Sequence, residues 1–278
     1  FKLYKDNLQN PSKIIRKHKK IQYVFHFAGH GELVPSIEDP LEYLNNNSFI
    51  TAKLLDAVYK YLKVKKFVYA ASSSCYGINN SKTSEKSPIR IEHPYALSKY
   101  IGEICVMHWS KVYKIPVNSI RIFNAYGPRS RTNNVYGAVI GVFLKQKLSN
   151  YPLTIVGDGK QRRDFLYISD VCEAFYKVAK SKQKNQIYNL GFGKSESINK
   201  LSKMISNSKI FIPWRPGEPK ITEANISKIK KLTGWYPKVN LEQGINNVLK
   251  NIKYWRKAPL WTKKKIKNSV KNWNKLLK

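Results

Sequence analysis

Short apolar runs alternate with helix-length segments along most of this chain, and that alternation constrains the fold more than any other feature. Residues 21–29 form a nearly all-apolar run that ends in Gly29, and residues 67–71 form a second run followed by three serines. Runs of this length are typical of strands buried on both faces of a parallel sheet. In chain order, the predicted elements are strand 21–29, helix 40–62, strand 67–71, helix 94–113, strand 117–123, helix 136–148, strand 153–156, helix 168–179 and strand 186–190. Strands separated by helices pair in parallel, so we predict an α/β fold with a doubly wound parallel sheet.

The last third of the chain follows a different pattern. From about Lys194 onward it is mainly helical, with a proline-rich break at 213–217. The chain is therefore predicted to have three parts, namely an α/β domain (1–190), a small, mostly helical lobe (191–260) and a basic C-terminal tail (261–278). The tail is amphipathic, and we expect it to pack as a helix through Ile266, Val270 and Trp273.

The first residues of the chain bear on nucleotide binding. An α/β domain that binds a dinucleotide opens with a strand, a glycine-rich turn and a helix whose N-terminus faces the pyrophosphate. No GxGxxG or GxxGxxG precedes Ile21, and the start at Phe1 has neither an initiator Met nor an apolar signal segment. We therefore expect the first strands of the sheet to be absent from this sequence, so that strand 21–29 forms an apolar edge.

The charge of the chain is strongly one-sided, with 51 Lys and Arg against 17 Asp and Glu and a formal net charge of +34. A surface for nucleic acid or for an anionic membrane is one interpretation. The lysines are spread along the whole chain, however, and few aromatic residues alternate with them as a stacking platform requires. We therefore favour ordinary solvated lysines. No apolar run reaches the length of a membrane span.

The three cysteines, Cys75, Cys105 and Cys172, contain no CxxC pair, so neither a zinc site nor a disulfide framework is predicted. Reduced, buried thiols in a cytoplasmic protein are the expected state. The five histidines are too dispersed along the sequence to indicate a metal cluster, so no metal site is predicted.

Tyr95 and Lys99 stand one helical turn apart on the same predicted helix face. A tyrosine titrates near pH ~10 and is a poor base at neutral pH. An ammonium ~4 Å away contributes on the order of 4 kcal/mol at an effective dielectric of ~20, which lowers the tyrosine pKa by up to ~3 units before desolvation subtracts from it. Such a phenol can take a proton from an alcohol and return it later. Since this spacing also occurs on many helices by chance, the pair alone is a weak signal.

Ser72, Ser73 and Ser74 strengthen that signal, because they follow the predicted strand 67–71. Hydroxyls at the carboxyl end of a parallel strand face the ligand crevice of the sheet. The alternative is a serine-rich turn that satisfies its own backbone groups. With Tyr95 and Lys99 downstream, the pattern favours a hydroxyl, a phenol and an ammonium that meet at one crevice.

Six segments in a fixed order give the chain a family resemblance. They are Phe27-Ala28-Gly29, Ser72-Ser73-Ser74-Cys75-Tyr76-Gly77, Tyr95-x-x-x-Lys99, Arg121-Ile122-Phe123-Asn124-Ala125-Tyr126-Gly127-Pro128, Gly157-Asp158-Gly159-x-x-Arg162-Arg163-Asp164-Phe165 and Arg215-Pro216-Gly217-Glu218. Together they resemble the extended short-chain dehydrogenase/reductases, and within these the UDP-glucose 4-epimerase group with its UDP-N-acetylhexosamine and UDP-hexuronate relatives. The likeness covers about residues 20 to 250. It implies a Rossmann-like fold, NAD as the cofactor and a nucleotide-sugar as the substrate.

The resemblance also implies a role for each matching residue. Ser72 would hydrogen-bond the sugar oxygen at C4, Tyr95 would be the acid/base, and Lys99 would set the pKa of Tyr95. The positions expected to contact NAD are Phe27, Ala28, Gly29, Asn47, Tyr95, Lys99 and Phe123. The positions expected to contact the substrate are Ser72, Asn124, Arg163, Arg215, Glu218 and Thr222. The two arginines are expected at the diphosphate or uridine, where a guanidinium binds an anion in bidentate fashion, and Glu218 at the ribose.

The residues after Ser72 distinguish between reactions of this family. The 4,6-dehydratases carry an Asp–Glu pair where this chain has Ser73 and Ser74, and neither serine can replace that pair near neutral pH. A 3,5-epimerase would place a cysteine beside the sugar, whereas Cys75 lies one position away from that pattern and should point to the opposite face. The favoured reaction is C4 epimerisation through transient oxidation at C4. A reductase, dehydratase or decarboxylase of the same fold is the alternative, and a catalytically silent protein that binds nucleic acid is the alternative from another class.

Three further expectations follow from the resemblance. Thr222 matches the gatekeeper of the sugar pocket, where a small side chain leaves room for a 2-N-acetyl group. Without the glycine-rich turn, we expect negligible NAD affinity, and hence little activity, for these 278 residues alone. Relatives often dimerise through two helices, here 40–62 and 94–113, so a homodimer is implied, whereas a membrane or nucleic-acid partner is not expected.

Overall fold

The computed structural model of the protein describes residues 2–6, 8–79, 81–130 and 138–277. The strands, in chain order, are β1 (Tyr23–His26), β2 (Lys66–Ser72), β3 (Val117–Ile122), β4 (Asn124–Tyr126), β5 (Leu153–Val156), β6 (Arg162–Arg163), β7 (Phe165–Tyr167), β8 (Gln186–Leu190), β9 (Glu196–Ser197) and β10 (Lys209–Ile212). Four of them form the main sheet in the order β1-β2-β3-β8, and every neighbouring pair is parallel. The predicted α/β fold with a parallel sheet is confirmed.

Helices connect these strands. They are α1 (Ser12–Ile15), α2 (Pro35–Glu38), α3 (Pro40–Leu44), α4 (Ile50–Tyr61), α5 (Pro94–Tyr113), α6 (Val139–Leu148), α7 (Ile168–Lys180), α8 (Ile198–Ile205), α9 (Ser227–Thr233), α10 (Leu241–Lys250), α11 (Lys263–Ser269) and α12 (Lys271–Leu276). The prediction for α5 is confirmed at both ends, whereas the first residues of the predicted helix 136–148 lie outside the described residues. Among the helices of the described ranges, none is both long and apolar enough to cross a membrane.

Strand β2 lies at the centre of the main sheet and is buried along its whole length. Phe67, Tyr69 and Ala71 on one face pack in a core cluster with side chains of α4 and α5. Val68 and Ala70 on the other face pack with side chains of α7 and β8. Because successive side chains of a strand point to opposite faces, a strand covered on both faces must be apolar throughout. The predicted two-sided burial is confirmed here.

Strand β1 departs from the prediction of a strand buried on both faces over 21–29. It is four residues long and pairs with β2 alone, at the edge of the sheet. Phe25 and the following Phe27 are 40% and 54% exposed, respectively. Two-sided burial was wrong for this strand because α4 and α7 cover the centre of the sheet more fully than its edge. The expected apolar edge is what the described residues form.

A second core lies outside the main sheet. The position of β5 in the alternation predicted that it joins the doubly wound sheet. This prediction was wrong, because β5 pairs in parallel with β10 instead. Side chains of α6, α8 and α10 cover this pair, together with Trp255. The lobe after Lys194 is therefore not purely helical. The prediction missed β10 because the strand is short and Phe211 within it is exposed, which breaks the pattern of a buried run.

The C-terminal tail packs as predicted through Ile266, Val270 and Trp273, all of which are buried. It forms two short helices, α11 and α12, rather than one. Ile266 joins a small cluster with residues of β5 and β10, whereas Val270 and Trp273 pack with Val34 at the start of α2. The tail therefore bridges the second core and the loop that follows β1.

Candidate active site

The carboxyl end of β2 carries the serine triplet into a turn. A 3-10 helix over Ser73–Tyr76 begins directly after the strand, and Ser72 caps it. The Ser72 hydroxyl accepts a hydrogen bond from the Ser74 N–H at 3.2 Å and donates one to the Ser74 hydroxyl at 3.1 Å. The three serines line a cleft, as the position at the end of a parallel strand predicts.

The first turn of α5 carries Tyr95 into the same cleft. Pro94 occupies the first helical position, and His93 caps the helix, since its Nδ1 accepts a hydrogen bond from the Ala96 N–H at 3.2 Å. The Tyr95 side chain is buried beside Ser72. Burial raises the pKa of Tyr95, and a hydrogen bond with Ser72 lowers it. A hydroxyl and a phenol therefore meet at the end of β2.

Lys99 follows one turn later and lines the same cleft as Tyr95. Its Nζ lies 4.5 Å from the centre of the Tyr69 ring. Burial lowers the pKa of Lys99 to about 8, and the charge of Glu103 opposes that change. For Tyr95 itself, burial is the largest influence on the pKa and the hydrogen bond with Ser72 opposes it, so the lowering of this pKa by Lys99 stays a prediction.

The loop after β1 forms one wall of the cleft. Phe27 and Gly29 line it, and the Phe27 ring packs on Phe175 with centroids 4.4 Å apart. Ala28 between them is exposed. A Cβ on Gly29 would lie only 2.4 Å from the Asn47 Oδ1, so the loop requires glycine at this position.

Asn47 holds this loop from behind rather than lining the cleft. It lies in a π-helical segment, Asn45–Phe49, that joins α3 to α4. Its Oδ1 accepts from the His30 N–H at 2.8 Å, and its Nδ2 donates to the His30 carbonyl at 3.1 Å and to the Ser98 hydroxyl at 2.9 Å. Because its amide is engaged within the protein, Asn47 is placed to shape the loop that it supports.

Phe123 and Asn124 form the opposite side of the cleft, after β3. Phe123 is buried, whereas Asn124 is half-buried. The Asn124 Nδ2 donates to the Thr222 hydroxyl at 3.1 Å and to the Asp164 carbonyl at 3.3 Å. Thr222 does not line the cleft wall, so it reaches the cleft only through Asn124.

Arg163, Arg215 and Glu218 converge at the outer end of the cleft, although 52 residues separate the two arginines in sequence. Glu218 forms an ion pair with Arg215, and its other carboxylate oxygen lies 3.8 Å from an Arg163 nitrogen. Arg163 also donates to the Pro219 carbonyl at 2.7 Å. Burial lowers the pKa of Arg163, while the charge of Glu218 raises it. Two guanidinium groups with one carboxylate between them form a candidate anion site.

The cleft has a volume of about 530 Å³, within the range of small-molecule sites. The residues present fit the nicotinamide end of NAD. Gly29 lines the cleft without a side chain, Phe27 and Phe123 supply apolar walls, and Lys99 supplies a buried ammonium. No group of three or more metal-ligating side chains occurs within the described ranges.

Several lining residues were not predicted. Gln161 is buried in the cleft wall, where its Nε2 donates to the Val156 carbonyl at 2.8 Å. Its place inside the 157–165 motif was a usable signal. Phe143 and Ile198 also line the cleft, but they belong to the second core, and nothing in the local sequence distinguishes them from other apolar residues.

The cysteines are only partly as predicted. Cys75 is buried, Cys105 is partly buried and Cys172 is exposed. Burial raises the pKa of the Cys75 thiol to about 12, so this thiol is protonated at neutral pH. The expectation that Cys75 takes no part in the chemistry stays a prediction.

Residues 2–191 match the family described as the NAD dependent epimerase/dehydratase family. A UDP-glucuronate 4-epimerase from Thermodesulfobacterium geofontis is 31% identical, covering 96% of this chain and 83% of the relative. A dTDP-D-glucose 4,6-dehydratase from Mus musculus is 32% identical, covering 88% of this chain and 73% of the relative.

Among solved structures, the chain is similar to a UDP-glucuronic acid 4-epimerase from Bacillus cereus in complex with UDP-glucuronic acid and NAD. The identity is 32% and the TM-score is 0.82, with 90% of this chain and 80% of that chain covered. Similarity therefore extends over both the main sheet and most of the second core.

Proposed function

The chain belongs to the NAD-dependent epimerase/dehydratase family, and we propose that within it the protein is a UDP-sugar 4-epimerase. The observation that carries this proposal is the position of Tyr95 beside Ser72, at the carboxyl end of β2 and inside a cleft of nucleotide size. Relatives that act at C4 of a UDP-sugar and relatives that dehydrate a dTDP-sugar are of similar identity, so the choice between reactions depends on residues of this chain.

The first task of the site is proton transfer at the sugar oxygen on C4. The Tyr95 phenol is the acid/base, and Ser72 is hydrogen-bonded to it. A substrate oxygen that hydrogen-bonds to Tyr95 in place of the Ser72 hydroxyl would still lie close to both residues. Because burial disfavours the phenolate, the proton leaves Tyr95 only when a neighbouring charge or a bound donor stabilises the anion.

NAD, when bound, accepts and returns the hydrogen at C4. We assign its nicotinamide end to Phe27, Gly29, Phe123 and Lys99, which share the cleft with Tyr95. With a pKa lowered to about 8, Lys99 still carries its charge at neutral pH, so it supplies positive charge at the floor of the cleft. Asn47 contributes by fixing the loop that contains Gly29.

The second task is recognition of the nucleotide. We assign Arg163 and Arg215 to the diphosphate, since planar guanidinium groups bind phosphate oxygens in pairs. Glu218 holds both arginines in place, and a diphosphate that took over the two guanidinium groups would free its carboxylate for the ribose. Asn124 lines the same cleft, and we assign it to the diphosphate as well.

Dehydration is the less favoured reaction. It requires an acid and a base in addition to the tyrosine, at the positions where this chain has Ser73 and Ser74. Both serines line the cleft, yet an aliphatic hydroxyl is too weak an acid and too weak a base to replace a carboxyl pair near neutral pH. Cys75 cannot replace them, because burial holds its pKa at about 12.

The sugar itself is a finer proposal. The resemblance gives Thr222 as the gatekeeper of the sugar pocket, and its small side chain, which reaches the cleft through Asn124, is the basis for proposing that a 2-N-acetyl group is accepted. The test, like every activity and binding measurement below, uses a full-length version of the protein that includes a glycine-rich turn, because negligible NAD affinity is expected for these 278 residues alone. This version is incubated with NAD and UDP-glucose, UDP-glucuronic acid or UDP-N-acetylglucosamine, and the ratio of C4 epimers is measured by NMR. Epimerisation of at least one substrate is expected, and formation of a 4-keto-6-deoxy sugar instead would overturn the proposal. Turnover of UDP-glucose but not UDP-N-acetylglucosamine would remove the role given to Thr222.

We also propose a homodimer formed by the helices over 40–62 and 94–113. These helices expose large apolar side chains, among them Phe49, Leu97 and Ile104. Burying them against the same helices of a second copy would remove apolar surface from water. Light scattering after size-exclusion chromatography should give twice the mass of the chain, and Ile104→Glu should give the monomer. A wild-type monomer at micromolar concentration would contradict the dimer.

A further inference from the structure

The C-terminal helix α12 reaches the candidate active site from outside, through one tryptophan. Trp273 is buried although it lies close to the end of the chain. Its indole Nε1 donates a hydrogen bond to the Pro216 carbonyl at 2.9 Å. Pro216 stands between Arg215 and Glu218, so the indole holds the loop that carries two of the proposed nucleotide contacts.

The same indole packs against the cap of the catalytic helix. Its ring lies 5.5 Å, centroid to centroid, from the His93 ring, which is stacked nearly parallel on Tyr95 with centroids 5.9 Å apart. His93 also caps α5 through its bond with the Ala96 N–H. Trp273 is thus in contact, on one side, with the loop over 215–218 and, on the other, with the first turn of α5.

The rest of the tail is anchored independently of the cleft. Val270 packs with Val34, and Asn272 donates hydrogen bonds of 2.8 and 2.9 Å to the Glu38 carboxylate. On the loop side, a Cβ on Gly217 would lie 3.7 Å from the Trp273 ring, so the loop backbone rests against the indole. These contacts fix the position of α12 before any ligand is bound.

We propose that Trp273 is a positioning residue that fixes the loop over 215–218 against the first turn of α5 and thereby sets the affinity for the nucleotide part of the substrate. The proposal rests on the proposed function for the identity of that substrate. Arg215 is partly buried in the cleft wall, and without the indole the loop backbone that carries it would lose its bond at Pro216. Ser72 and Tyr95 do not contact Trp273 directly, so their chemistry is affected less than binding.

The test compares two tryptophans that make the same kind of bond. Trp273→Phe removes the donor to Pro216 but keeps a ring against His93. We expect KM for the UDP-sugar and Kd for UDP, measured by calorimetry, to rise about tenfold, the size of one lost hydrogen bond with some packing, while kcat changes less than about twofold. The control is Trp235→Phe, since Trp235 is also buried and its Nε1 donates to the Asp170 carbonyl at 3.0 Å, outside the cleft. This control should lower Tm and leave KM unchanged.

A second readout does not depend on the reaction. Amide hydrogen exchange of residues 214–219 should accelerate in Trp273→Phe and remain at the wild-type rate in Trp235→Phe. If the wild type converts no UDP-sugar, the proposed function fails, but the exchange experiment still decides the role of Trp273. Unchanged exchange at 214–219, or an equal rise of KM in both variants, overturns the proposal.

If Trp273→Phe does not fold, the role of the tail is tested with Asn272→Ala instead. It releases the tail from Glu38 without altering any group in the cleft. Faster exchange at 214–219 with a rise of KM of about threefold is expected, because one anchor of α12 is lost. Wild-type exchange and wild-type KM in this variant would contradict the proposal.

Discussion

The floor and the rim of the cleft are built in different ways. The floor consists of Ser72 and Tyr95, which are held by a fully buried strand and by the first turn of a long helix. The rim consists of Arg163, Arg215 and Glu218, which lie in short segments and hold one another through ion pairs. The proposed acid/base is therefore located on regular elements, whereas the proposed nucleotide contacts lie on segments whose ion pairs would have to rearrange if an anion binds between them.

The two regions also differ in what fixes them. On the helix that carries the floor, the buried Glu103 accepts from Arg121 at 3.0 Å and from Ser119 at 2.7 Å, so α5 is tied to β3. At the rim, the loop over 215–218 depends on the distant tail through Trp273. A buried, fully hydrogen-bonded pair tolerates little movement. We therefore expect changes in the floor to affect turnover and changes in the rim to affect binding.

The largest expected effect is a loss of turnover without a loss of binding. Tyr95→Phe removes the proposed acid/base, so kcat should fall about 10³-fold, while Kd for UDP should stay within about twofold because the rim is intact. Tyr113→Phe, on the exposed end of the same helix, is the control and should behave as wild type. Turnover above about a tenth of the wild-type value in Tyr95→Phe would show that the floor does not act through this phenol.

The converse change is made at the rim. Arg215→Ala should raise Kd for UDP and KM by about 10- to 100-fold, since one of two guanidinium groups at the diphosphate is lost, with a much smaller change in kcat. Arg256→Ala removes the same charge at an exposed position outside the cleft and should change neither. A fall in kcat larger than the rise in KM would mean that the rim takes part in the chemistry.

A smaller effect concerns stability and pH. Burial lowers the pKa of His26, on the floor side, to about 3 and that of His93, between floor and rim, to about 4. Below pH ~6.5 the unfolded chain binds protons that the folded chain excludes, so this stability is present above pH ~6.5 and is lost as the pH falls towards 4 and 3.

His93→Asn keeps a capping acceptor but does not titrate. It should therefore reduce the loss of unfolding free energy between pH 7 and pH 4.5 by on the order of 2 kcal/mol, measured by urea unfolding. His108→Asn, at an exposed position of the same helix, should keep the wild-type pH dependence. An identical pH dependence in both variants would show that His93 is not held neutral at the cap.

The smallest expected effect on turnover is that of replacing Cys75, which lies three residues after Ser72. Cys75→Ala should leave kcat within about twofold of wild type, because the protonated, buried thiol takes no part in proton transfer. Ser72→Ala, three residues earlier, should lower kcat at least about tenfold, since it removes the group bonded to Tyr95. Equal losses in the two variants would remove the distinction between the two positions.

The floor was more accessible to prediction from sequence than the rim. Strand β2 is an uninterrupted apolar run, and α5 begins at His93-Pro94 and is uniformly helical up to Tyr113, so periodicity and capping locate both elements. Their order in the chain then predicts that Ser72 and Tyr95 face one crevice. Local sequence was sufficient because each residue lies at a defined end of a regular element.

The surroundings of charged groups and the contacts between distant segments could not be predicted from local sequence. The partner of Lys99 is the Tyr69 ring, and the pKa of Tyr95 depends on burial, which spacing along a helix does not contain. The contact of Trp273 with Pro216 joins residues 57 positions apart. Such contacts arise from tertiary packing of the tail, for which the amphipathic pattern predicts only that one face is buried.

The most direct measurement uses a UDP-sugar that carries deuterium at C4, incubated with NAD and either wild type or Tyr95→Phe. If Tyr95 moves the proton of the C4 hydroxyl while the hydrogen on carbon stays within the site, the wild type should form the C4 epimer with its deuterium retained, and Tyr95→Phe should form almost none. Loss of the deuterium to water in the wild-type product, or equal epimerisation by both proteins, would contradict the central role of the phenol.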